Sequence, residues 1–114
     1  VVWVENETLI DAVTAVSGSG PAYVFHLVEA MAAAGEGEGL SPEQAMVLAR
    51  QTVIGAAALL EADDSTAAQL RKNVTSPNGT TQAALDVLMA PDGLGALMKR
   101  AISAARKRSE ELGQ

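Results

Sequence analysis

The sequence has no cysteine and a single histidine, His26, and its aromatic residues are limited to Trp3, Tyr23 and Phe25. Without cysteine there is no disulfide framework and no thiolate zinc site, and secretion gains no support. A lone imidazole excludes a His-rich metal site and a relay of two histidines, so no metal is expected. Apolar residues make up 48 % of the chain, and they are mainly Ala, Val, Leu and Met. A core built from them is thin per residue and suits closely packed helices. Fourteen acids against eight bases give a net charge of −6, which disfavours nucleic acid and anionic membrane as partners. The opening residues, VVWVENE, carry neither an initiator methionine nor the features of a signal peptide. They read as a fragment that begins mid-protein, and a cytoplasmic location is expected.

A length of 114 residues suits one domain, residues 1–114. Leu9, Ile10, Val13 and Val16 recur at helical intervals before SGSGP, where a new helix is expected to start with Pro21 in its first turn. That helix is expected to dissolve in GEGEG. SPEQ then starts another, with Ser41 as N-cap, Pro42 at N1 and Gln44 completing a capping box. Between Pro42 and about Ala62 the polar residues Glu43, Gln44, Arg50, Gln51 and Glu61 form one stripe, and the remaining circumference is apolar apart from Thr52. A helix so apolar needs cover on several sides, and a chain this small can hardly supply it, so a partner subunit is expected. The interruption RQT argues against a membrane span. Shorter helices capped by Ser65, Thr80 and Asp92 complete the chain. No stretch alternates with period two over strand length, so the expected class is all-α.

Several patterns invite chemistry. GSGPAY resembles a dinucleotide fingerprint, but Tyr23 replaces the third glycine and no strand precedes it, so a kinked helix junction is the better reading. His26 shares a helix face with Glu29 and reads as a surface histidine. The basic run Lys99, Arg100, Arg106, Lys107 and Arg108 reads as a solvated helix face. VTSPNGTT, residues 74–81, is different, because a polar, hydroxyl-rich loop interrupts Ala- and Leu-rich helices. One account is a helix connection in which Pro77 fixes φ, Asn78 and Gly79 accept positive φ, and Thr80 caps the next helix. The other is a cradle for a small anion such as a carboxylate, made from hydroxyls and the free N–H groups of a helix start. The residues alone leave both open.

The blocks AVSGSGPAYVF, GLSPEQAMVLARQTVIGAAALL, LRKNVTSPNGTTQAALDVL and ALMKRAISAARKRSEELG together resemble the C-terminal domain of pyrroline-5-carboxylate reductases, over about Glu7 to Gly113. The resemblance implies an all-α helical-bundle dimerisation domain that interlocks with its twin, with a nucleotide-binding Rossmann domain lying outside these residues. It implies reduction of L-1-pyrroline-5-carboxylate to L-proline with NADPH or NADH, the last step of proline biosynthesis. The expected partners are a second copy of the chain, a small-molecule substrate, and further copies in a ring. By resemblance, Ser76, Gly79, Thr80 and Thr81 hold the substrate carboxylate and Thr81 also meets the ring nitrogen as the catalytic residue. Glu7 lies at the substrate pocket, and Asn73 contacts the nucleotide. Two departures stand out: Pro-Asn-Gly replaces the usual Pro-Gly-Gly, and Glu36 occupies a position that is usually apolar. The alternatives are a non-enzymatic dimerisation or ligand-binding module on this scaffold, and the helical domain of another nicotinamide-dependent dehydrogenase. The second would need a lone lysine in a helical core, and none is evident.

Overall fold

The computed structural model of the chain describes residues 9–113. Among them there is no strand, in agreement with the all-α expectation. The helices are α1 (Ile10–Val13), α2 (Gly20–Gly37), α3 (Pro42–Ala62), α4 (Ala67–Asn73), α5 (Thr80–Leu88) and α6 (Leu94–Leu112), with a π-helical turn at Thr14–Gly18. They group into two compact units, Tyr23–Thr81 and the remainder.

In the unit formed by the two ends of the chain, α1 and its π-turn pack on α6, with Ala15 fully buried. The Ser109 hydroxyl donates to Asp11 Oδ1 at 2.6 Å and ties the last turns of α6 to α1. The π-turn has a local cause. Thr14 and Ser17 donate their hydroxyls to the carbonyls of Ile10 and Val13, at 3.1 and 3.0 Å, and such back-bonding bends helices. The Ser19 N–H then reaches five residues back to Thr14 O, at 2.9 Å. At the junction expected in GSGPAY, the π-turn ends at Gly18 and α2 begins at Gly20.

The helix expected to dissolve in GEGEG does end within it, at Gly37. Its end is a Schellman arrangement. Gly39 sits at φ +107°, with its N–H on Glu36 O and the Leu40 N–H on Gly35 O. The capping box at Ser41 and Gln44 forms as the sequence predicts, with Gln44 N–H donating to Ser41 Oγ at 3.1 Å and Ser41 N–H to Gln44 Oε1 at 3.2 Å. Two other caps are corrected. Thr66, not Ser65, caps α4 by accepting from Gln69 N–H, while Ser65 turns to Asp63, with its hydroxyl and with its N–H at 2.7 Å from Oδ1. The hydrogen bonds from Ser65 hold the Asp63 carboxyl below its ordinary pKa. Gly93, not Asp92, occupies the cap of α6, without any side-chain bond.

The core of the Tyr23–Thr81 unit is a contact between α2 and α3 made by Ala32, Ala45 and Ala49, with Val28 alongside. Side chains this small let two helices approach closely. They also bury little, since each methyl contributes only about 0.8 kcal/mol. The larger apolar side chains lie outside that contact, with Phe25 67 % and Ile54 55 % exposed. Both line an open groove of about 360 Å³ along α2 and α3, together with Val24, Val28, Met46 and Val53. At 21 residues α3 is also long and apolar enough to cross a membrane, so the RQT interruption does not disqualify it by length and composition.

Gly93 is the least replaceable glycine. A Cβ there would collide with the Leu88 carbonyl oxygen and lie 2.7 Å from the Leu88 carbonyl carbon, both of them backbone. Gly93→Ala should lower stability by more than about 1 kcal/mol in urea melts. Gly95→Ala, where nothing lies within 4 Å, should be neutral or stabilising by up to about 1 kcal/mol. Equal melts for the two variants would show that the turn before α6 relaxes freely.

Candidate functional site

The polar loop joins α4 to α5 and lies within one unit up to Thr81. Arg71 and Lys72 occupy the last turn of α4, where positive charge meets the negative end of the helix dipole. The last carbonyls of α4 are well supplied with donors. Arg71 O accepts from Val74 N–H at 3.3 Å and from the Thr75 hydroxyl at 2.6 Å, and Lys72 O accepts from Thr75 N–H at 3.1 Å. Thr75 is thus explained by structure alone, because its hydroxyl caps the carbonyl end of α4.

A β-turn follows. Gly79 N–H donates to Ser76 O at 3.1 Å, with Pro77 second in the turn and Asn78 third, at φ +59°. Of all described non-glycine residues only Asn78 has positive φ, and asparagine tolerates that region best. Of the two residues expected to accept positive φ, Asn78 takes the left-handed position and Gly79 does not. Gly79 lies close under the turn, since a Cβ there would stand 3.2 Å from Ser76 O. Helix α5 opens directly at Thr80, so Gly79 takes the cap position that the sequence assigned to Thr80.

What remains free after this accounting is informative. Among the described residues no hydrogen bond engages the hydroxyls of Ser76, Thr80 or Thr81, whereas those of Ser41, Thr66 and Thr75 are all used within the chain. The first N–H groups of α5 lack intrahelical acceptors, as at any helix start. Ser76 and Thr80 are exposed, and Gly79 and Thr81 half-buried. One short loop therefore gathers three unused hydroxyls and a helix N-terminus, a donor set suited to a carboxylate. Asn73 stands just ahead, exposed, as the last residue of α4. Its Oδ1 accepts from Gln69 Nε2 at 2.7 Å. The sequence reading passed over Gln69, although its i, i+4 spacing to Asn73 was visible. Glu7 lies outside the described residues. His26 lies on α2, exposed, with Nδ1 3.2 Å from Glu29 Oε1.

The family model described as pyrroline-5-carboxylate reductase dimerisation matches residues 7–112. The chain belongs to this family. It is similar to the pyrroline-5-carboxylate reductase of Pseudomonas aeruginosa, with 52 % identity over 112 residues that make up 98 % of the chain and 41 % of that protein. Among solved structures it is similar to a pyrroline-5-carboxylate reductase from Coxiella burnetii, at 44 % identity and a TM-score of 0.90, covering 97 % of the chain and 41 % of that one. It is also similar to a Plasmodium falciparum pyrroline carboxylate reductase with NADP bound, at 34 % identity and a TM-score of 0.87, over 96 % of the chain and 41 % of that one. The chain thus spans about two fifths of the relatives it matches. The family's description makes it a dimerisation domain.

The two roles separated above predict opposite responses. Thr75→Val keeps the shape and removes the hydroxyl bonded to Arg71 O, so it should cost about 1 kcal/mol in thermal or urea melts. Ser76→Ala, with no bond to lose among the described residues, should melt within about 0.5 kcal/mol of the parent. The reverse order would overturn the division into structural and free hydroxyls.

Proposed function

We propose that this chain is the dimerisation and substrate-binding part, residues 1–114, of a cytoplasmic reductase that converts L-1-pyrroline-5-carboxylate to L-proline in proline biosynthesis. The observation that carries this reading is the loop 76–81, with its unused hydroxyls and its helix start, in a chain of this family. The substrate is a cyclic imine bearing a carboxylate. Its C=N bond takes up two electrons and a proton at carbon, and the nitrogen must be protonated for the reduction to be easy. Positioning does most of the remaining work. Ser76 and the backbone at Gly79, Thr80 and Thr81 hold the carboxylate. The Thr81 hydroxyl meets the ring nitrogen, and Glu7 favours its cationic form.

NADPH or NADH supplies the reducing equivalent when bound. Asn73 fits a nucleotide contact, because it is exposed and its amide is held in place by Gln69. The nucleotide's main site lies in a domain outside this chain, since no strand and hence no βαβ phosphate turn occurs among the described residues. Each site is completed across the dimer. The apolar surface of α2 and α3 is covered by the partner subunit rather than by lipid. Nucleic acid has no part in this function.

Two experiments test the reading. In the full-length enzyme, Thr81→Ala removes the contact to nitrogen and keeps the backbone N–H. A hydrogen bond to a charged group contributes about 1.5–3 kcal/mol, so kcat/KM should fall roughly ten- to a hundredfold, and Thr81→Ser should restore most of it. Unchanged kinetics in the alanine variant, with only stability lost, would reduce the loop to a turn. For the dimer, sedimentation equilibrium of the chain in detergent-free buffer should give a dimer at micromolar concentration. Ile54→Arg, at the exposed face of α3, should weaken it by at least about tenfold. A folded parent monomer would remove the interface and with it the shared site.

A further inference from the structure

Helix α4 has seven residues, and one line of hydrogen bonds runs its whole length. Thr66 Oγ1 accepts from the Gln69 N–H at 3.1 Å, and Gln69 Nε2 donates to Asn73 Oδ1 at 2.7 Å. An amide can offer a ligand either an acceptor or two donors. With its Oδ1 engaged by Gln69, Asn73 offers donors. Its neighbours point to the same ligand chemistry. Arg71 and Lys72 adjoin it, and neither has a carboxylate partner among the described residues. The carbonyls of Arg71 and Lys72, which would repel an anion, are occupied by Val74 and Thr75. The end of α4 therefore combines N–H donors with positive charge and suits an acceptor oxygen on an anionic ligand.

Resting on the reading of Asn73 as a nucleotide contact, we propose that Gln69 is a positioning residue for the nucleotide. Its bond holds the Asn73 amide with the oxygen turned inward to α4 and the NH₂ available to an acceptor oxygen of NAD(P)H. Gln69 itself touches no ligand. It acts through Asn73 alone, which gives a thermodynamic signature: its effect vanishes when Asn73 is absent.

The test is a double-mutant cycle in the full-length reductase, with steady-state kinetics in NADPH. Asn73→Ala should raise the nucleotide KM about tenfold, the loss of one good hydrogen bond. Gln69→Leu, which preserves helix propensity, should raise it about threefold while kcat and the KM for pyrroline carboxylate stay within about twofold. Adding Gln69→Leu to Asn73→Ala should cause no further change. A merely structural contact would lower the melting temperature and leave the nucleotide KM alone, so melts of all variants accompany the kinetics. If Asn73→Ala raises the nucleotide KM and Gln69→Leu does not, or if the two effects multiply, the positioning role falls and the nucleotide contact stands. If Asn73→Ala leaves it unchanged, both fall.

Discussion

The contact on which the Tyr23–Thr81 unit depends is the meeting of Ala32 with Ala45 and Ala49. Alanine at these positions lets α2 and α3 lie close together, and it leaves the work of burying large side chains to other surfaces. Three methyl groups stabilise by about 2–3 kcal/mol in total, while ordering each backbone residue costs about 1–2 kcal/mol. No helical pair of this size stands on that contact alone. The exposed Phe25, Val47, Leu48, Ile54, Leu59 and Leu60 are the apolar surface that a second subunit can bury. With a second copy as that subunit, folding and association would be one equilibrium, and stability would depend on the protein's own concentration. A dimerisation family is what such a core requires.

A second consequence follows for the loop. A short polar segment between helices keeps its shape only if its own hydrogen bonds fix it. Thr75 ties the start of the loop to α4, and the Ser76–Gly79 turn brings the chain round to α5. With the backbone fixed in this way, the hydroxyls of Ser76, Thr80 and Thr81 carry no structural duty among the described residues. The separation is a form of preorganisation, since donors already held in place need not be ordered when a ligand arrives. Asn78 accepts a left-handed backbone within the same scheme, at a cost that glycine would avoid.

Much of this was legible in the sequence, for reasons that differ from element to element. The Ser41 capping box was visible because it is a local pattern, complete within four residues. The apolar excess of α3 was visible because periodicity over 21 residues averages out single exceptions. The caps of α4 and α6 were misplaced by one residue, since Ser65 and Thr66, or Asp92 and Gly93, compete on nearly equal propensity. The choice falls to contacts that propensity does not contain. Asp63 engages the Ser65 hydroxyl as well as its N–H, and the close passage of Gly93 by Leu88 admits no side chain. The π-turn escaped for a similar reason, because it arises from two hydroxyls folding back on their own helix. Within the loop, composition singled out the whole set of hydroxyls, but only hydrogen-bond accounting separates Thr75 from the rest.

Charge shows how a global property can mislead about a site. The chain carries −6 overall, and the proposed ligands, a carboxylate and nucleotide phosphates, are both anions. Taken as a point charge the protein would repel them. Screening at physiological ionic strength limits such forces to about 8 Å, so the field at a site is set by its neighbours. From Ser65 to Leu85 there is no aspartate or glutamate, and Arg71 and Lys72 are the charged residues of that stretch. The acids are confined to other parts of the chain, among them Glu36, Glu38, Asp63, Asp64, Glu110 and Glu111. The loop is thus a locally positive segment of an acidic chain. At the loop the local charges are these two cations and the positive end of the α5 dipole, with Asp86, further along α5, the next carboxylate in the sequence. A negative net charge and a loop that suits small anions are therefore compatible within one chain.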